Sequence, residues 1–150
     1  MASKELLLDR FRTVSWTLLR IVPAVILMQH GAQKLFGAFG GLDGSGGTVP
    51  LASLMGFAGI LEFFVAALVV LGLFTCPAAF ILSGEMAVGY FMAHAPKGFW
   101  PINTGGEPAV LLCFSFLAIS AWGGGPFSLD GLLARRKREK KANRPVASRP

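Results

Sequence analysis

The chain has 150 residues, room for one domain, with 53% hydrophobic side chains, only 15% charged ones and a mean hydropathy of +0.60. Soluble chains carry about a quarter charged residues; here the charges crowd into the two ends, which excludes an ordinary soluble core and fits a multi-spanning membrane protein. The net charge of +6 does not point to nucleic acid, because most of it sits at residues 135–144, directly after the last apolar segment. Basic side chains placed there act as topology signals and as contacts for anionic lipid headgroups.

Residues 1–14 form a polar leader in which Lys4, Arg10 and Arg12 alternate with Glu5 and Asp9. The first apolar helix is expected over residues 16–36. A signal peptide has a short, uninterrupted apolar core; Arg20 interrupts this one, so it reads as a retained helix. At about 100° per residue, Arg20, Leu27, Gly31 and Lys34 share one stripe, with His30 beside it. Such a stripe on a membrane helix faces protein or water rather than lipid. Arg20, near the helix start, either joins that interior or snorkels to the interface. Pro23 removes one backbone donor and predicts a kink. Residues 37–49, GAFGGLDGSGGTV, lack the context of a phosphate cradle and read as a flexible connection.

The second helix is expected within residues 51–74, a run with one charge, Glu62. About 20 apolar residues cross a bilayer, so Glu62 lies at depth, where an ionised carboxylate costs about 2.5–3.5 kcal/mol and needs a cation, hydrogen bonds or a proton. Gly56 and Gly59 permit close approach of a neighbouring backbone. Gly72 suits the end of this helix and Pro77 the first turn of the next, so helices two and three should be antiparallel neighbours. The third helix, residues 77–93, carries Glu85. His94, Lys97, Phe99 and Trp100 lead into an interfacial loop. The fourth runs from Glu107, placed to favour the helix dipole, to Trp122. After it, Ser128 and Asp130 can cap a short turn, and the tail from residue 134 reads as basic and disordered. Lysine and arginine at both ends place both termini in the cytoplasm, consistent with four crossings.

That topology sorts the polar residues by depth. His30 and Lys34 lie toward the outer end of helix one, Glu62 and Glu85 nearer the middle, His94 and Glu107 near the outer face. Together with Arg20 they form a candidate polar cavity in which Lys34 or His30 partners a glutamate. The competing reading has each glutamate protonated or separately bonded and serving helix packing alone. Two histidines, His30 and His94, with Pro96 close to the second, are a weak basis for haem, which is not expected. Cys76 and Cys113 have no CxxC or metal spacing; they read as packing residues, and no metal site is expected.

The segments LLRIVPAVILMQHGAQKLFG, AGILEFFVAALVVLGLFT and GGGPFSLDGLL, in this order, resemble the successive motifs of DoxX family membrane proteins, over nearly all of residues 15–133. The resemblance places Arg20, Gly31, Lys34, Glu62, Gly72, Pro126, Ser128 and Asp130 on family motif positions. Phe127 stands where the family usually has glycine. The resemblance implies an all-α, four-helix bundle in the bacterial inner membrane. Some relatives belong to a thiosulfate:quinone oxidoreductase and others associate with redox-defence or detoxifying enzymes. The chain has no cofactor motif of its own, so a redox role, with quinone as substrate or a soluble or membrane redox enzyme as partner, is an expectation by analogy. A small proton-coupled transporter using Glu62 or Glu85 and a structural anchor without chemistry are the competing classes. Whether the protein is an enzyme stays open at this level.

Overall fold

A computed structural model of the chain describes residues 2–142. The regular elements among them are all helical: α1 Ala2–Phe36, α2 Leu54–Leu71, α3 Thr75–Lys97, the single turn α4 Pro101–Thr104, α5 Glu107–Trp122 and α6 Leu129–Ala142. α1, α2 and α3 are long and apolar enough to cross a membrane. α5 is apolar but has 16 residues, about 24 Å at 1.5 Å per residue, against about 30 Å of hydrocarbon.

Neighbouring apolar helices run antiparallel. Arg20 of α1 meets Val69 and Val70 near the end of α2, while Lys34 meets Glu62 in its middle. α1 packs along α2, and α3 pairs extensively with α5, tied by the Ser83 hydroxyl donating to the Cys113 carbonyl at 2.9 Å. The shared core is thin and built largely of small and aliphatic side chains: Ala24, Leu27, Ala66, Val69, Ala78, Ala79, Leu82 and Met86, closed by Phe116 and Ile119 of α5. Larger apolar side chains point outward, among them Phe57, Phe64, Phe80, Val88, Phe91, Leu111 and Phe114. Water would penalise that surface by about 25 cal/mol per Å²; lipid chains do not. The inversion of the soluble pattern is the signature of a bundle whose solvent is hydrocarbon.

The polar leader is helical and continuous with the first apolar helix, α1 running from Ala2 through Pro23. Two sequence expectations change. The glycine-rich connection folds back on itself: Gly46 N–H donates to the Gly40 carbonyl and Val49 N–H to Lys34, at 2.7 and 2.9 Å. The tail is helical to Ala142 rather than irregular from residue 134. Ser128 starts that helix, its Oγ accepting from Gly131 N–H at 3.0 Å, and the Ala, Arg, Lys and Glu residues that follow are good helix formers. Residues 143–150 of the expected disordered tail lie outside the described residues.

Candidate functional site

The eight motif residues fall into two groups on opposite stretches of α1. Arg20 and Lys34 are 14 residues apart, so the groups are separated by about 21 Å along the helix axis. One group locks an end of the bundle. The other sits at depth.

The lock begins at the end of α2. Gly72 adopts φ 69°, and the N–H groups of Gly72 and Leu73 reach back to the carbonyls of Val69 and Leu68 at 3.1 and 2.9 Å, the paired bonds of a glycine-terminated helix. Arg20, 1% exposed, donates from one guanidinium nitrogen to the carbonyls of Val69 and Val70 at 2.6 and 2.7 Å, and from the other to Phe127 at 2.6 Å. A buried cation thus meets the negative end of the helix dipole and pins the turn before α6 to it. A Cβ on Gly72 would stand 2.4 Å from Ser128 Cβ and 2.8 Å from Arg20, so only glycine fits. The alternatives left open for Arg20 resolve to the interior.

Asp130 completes the lock from the other side. Its carboxylate accepts from the N–H groups of Phe74 and Thr75 at 3.0 and 2.8 Å and from the Thr75 hydroxyl at 2.8 Å. It therefore caps the first turn of α3 from a distant point in the chain, while its own N–H donates to Gly72. Burial pushes the Asp130 carboxyl up, but the Thr75 and Phe74 hydrogen bonds and the field of Arg20 outweigh it, and its pKa lies below the usual carboxylate value. Phe74, with φ 49°, holds a backbone region that bulky residues rarely occupy, and its N–H is one of the groups Asp130 ties down. Trp16 adds a bond from its indole N–H to the Gly123 carbonyl at 3.0 Å. Pro126 lies exposed in the same turn.

The deep group is built on two glycines. A Cβ on Gly31 would lie 2.6 Å from Phe63 N, and one on Gly59 would lie 3.0 Å from Lys34 Cβ. The helices touch backbone to backbone there, which carries Lys34 over α2. At that contact α2 widens into a π-helical turn, Leu61–Val65, a local expansion common at functional positions. It presents Glu62 inward. Lys34 and Glu62, 8% and 5% exposed, form a buried ion pair in which the ammonium bonds both carboxylate oxygens. Glu85 of α3 lies within reach of the fields of both. Its two carboxyl oxygens are buried and have no hydrogen-bond partner among the described residues.

The other residues of the expected cavity go elsewhere. His30 is exposed on α1, one turn from Lys34, and Glu107 is exposed at the start of α5; neither is hydrogen-bonded to the deep group. The reason is rotational. Burying the Arg20, Leu27, Gly31 and Lys34 side of α1 turns His30 outward, and Glu107 precedes the apolar body of α5. His94 ends a second π-helical turn, Tyr90–His94, stacked on Tyr90, with its Nδ1 3.0 Å from the Thr104 carbonyl. With Tyr90, whose hydroxyl donates to Phe99 at 2.6 Å, it braces the loop to α5. Arg20 belongs to the lock. The expected single cavity is thus divided, with Lys34, Glu62 and Glu85 brought together. Sequence reading missed Trp16, Thr75 and Tyr90; the last is the only tyrosine in the chain, the one available signal. No group of three His, Cys, Asp or Glu side chains suited to a metal ion occurs among the described residues.

Fold and site together define a small helical membrane protein with an intramembrane ion pair and an interlocked end. The DoxX family model matches residues 15–95, and the chain belongs to the DoxX family. It is also 41% identical over 126 residues to an uncharacterized protein of Haemophilus influenzae, an alignment covering 82% of this chain and 93% of that relative. No solved structure matches it. The family match ends before Pro126, Ser128 and Asp130, whereas it includes every residue of the deep group.

Proposed function

We propose that this DoxX protein is a quinone-linked subunit of the bacterial inner membrane, crossing four times with both termini in the cytoplasm, and that Lys34, Glu62 and Glu85 form its headgroup and proton site. One observation carries the reading. Glu85 holds two buried oxygens without a donor among the described residues, beside a pair that already satisfies itself. A carboxyl so placed in hydrocarbon must carry a proton or meet a donor from a ligand. Protonated, it donates to a quinone carbonyl; ionised, it accepts from a quinol hydroxyl. Reducing a quinone takes two electrons and two protons. The electrons come from a partner redox enzyme, and the two protons, drawn from water, pass one after the other through Glu85, which is reprotonated between them, with the Lys34–Glu62 pair fixing the local charge. The exposed His30, whose field reaches Glu62, offers an entry for protons and supports a second reading, proton-coupled export of a small solute.

Purification in native lipid, followed by extraction and mass spectrometry, should find quinone enriched over bulk lipid, and Glu85→Gln should lose that enrichment while keeping its melting temperature. Quinone at the bulk lipid level in the wild-type protein rejects the reading. A pH-gradient-driven flux in quinone-free liposomes that Glu85→Gln abolishes would establish the second one instead. Reporter fusions at the C-terminus test the orientation: an active periplasmic phosphatase there overturns it.

A further inference from the structure

We infer that the start of α1 and the basic helix α6 form one docking surface for the anionic phospholipid headgroups of the surrounding bilayer. The two elements leave the bundle at the same end. Phe127, held by Arg20, shares an open cleft of about 390 Å³ with Asp9, Arg10, Thr13 and Val14. The lining combines the exposed apolar side chains of Val14 and Phe127 with the polar Asp9, Arg10 and Thr13. Of its charged residues, Asp9 is paired with Arg12 at 3.2 Å, while Arg10 has no carboxylate partner among the described residues.

α6 supplies most of the charge. Residues 135–141 hold six cations and one acid, Glu139, all exposed, and none forms an ion pair among the described residues. The helix does not drift freely from the membrane. Asp130 ties its first turn to the end of α2 and the start of α3, so its last described residue lies within about 20 Å of the bundle end. Leu132 and Leu133, 42% and 55% exposed, flank the tie, and Leu7 and Phe11 are exposed on the α1 leader. Apolar side chains at the boundary followed by a cationic run are what an acyl–phosphate interface accommodates. A duplex or single-stranded nucleic acid would use the cations and leave the leucines idle. Charge complementarity and the leucines together select lipid.

Lys and Arg near an anionic surface each strengthen attraction by roughly fivefold. In native mass spectrometry of the detergent-solubilised full chain given equimolar phosphatidylglycerol and phosphatidylcholine, phosphatidylglycerol should be retained in preference. Replacing Arg135, Arg136 and Arg138 together by Gln should bring retention toward parity, as should replacing Lys137, Lys140 and Lys141. Arg10→Gln should cause a smaller fall. All these residues are exposed, so melting temperatures should not move. Equal retention of the two lipids by the wild-type chain, or an undiminished preference in both triple variants, overturns the inference. So does RNA binding at physiological salt that displaces phosphatidylglycerol from the same residues.

Discussion

Gly31 of α1 lies against Phe63 of α2 so closely that a methyl group on it would stand 2.6 Å from the Phe63 nitrogen. The contact falls on the π-helical turn that carries Glu62, one helical turn from Lys34. Backbone proximity and the ion pair are therefore one feature: the first sets the helix separation, and the second depends on it.

Gly31→Ala should force α1 and α2 apart and destabilise the protein by about 1–3 kcal/mol, the usual cost of overpacking. Thermal melting in detergent checks this. Gly84→Ala serves as the control, because a Cβ there meets nothing within 4 Å, and should leave the melting temperature unchanged or slightly higher.

Breaking the deep pair from one side leaves a buried charge alone. Lys34→Ala should cost about 3–5 kcal/mol, whereas Glu62→Gln keeps the side-chain shape and some hydrogen bonding and should cost less. The double variant Lys34→Ala/Glu62→Gln should be more stable than additivity allows. Additive losses would show that the two side chains do not couple. His30→Ala, on the exposed side of α1, should couple to Glu62→Gln far more weakly than Lys34→Ala does.

Arg20 bridges three carbonyls on two segments, which a forked guanidinium does and a point ammonium does not. Arg20→Lys should lose at least one charge-assisted bond, about 1.5–3 kcal/mol. Because the lock joins the ends of α2 and α3 to the start of α6, amide hydrogen exchange should rise together at residues 72–75 and 128–131. A rise confined to α1 would refute the coupling.

Asp130 makes the lock acid-sensitive. Its folded pKa is depressed below the unfolded value of about 3.9, so its contribution is complete above that pH and is lost as the pH falls through the lower folded value. Melting temperature should decline on acidification in that window. Asp130→Asn should start lower near neutral pH and show a flatter decline. Parallel curves for the two proteins would exclude Asp130 as the sensor.

Deletion of residues 135–150 should leave the detergent melting temperature unchanged, since no side chain of 135–142 is buried. A large fall would mean that the basic helix packs on the bundle.

Much of this molecule was readable from its residues. Helix length against bilayer thickness is a local property, so the apolar runs and their breaks at Gly72 and Gly123 stand out in the sequence. The need of Glu62 for a partner is local too, because burying a carboxylate in hydrocarbon is costly wherever its neighbours lie. The stripe of Arg20, Leu27, Gly31 and Lys34 followed from 100° per residue and is the buried side of α1. Tertiary structure alone decided the partners. Periodicity orders residues around one helix but says nothing of how far two helices are rotated or slid against each other. The backbone contact at Gly31 and Gly59 sets that rotation, putting Lys34 on Glu62 and turning His30 outward. The use of Asp130 to cap α3 was hidden for the same reason, since 55 residues separate it from Thr75 and only the folded chain brings a carboxylate to those unpaired N–H groups.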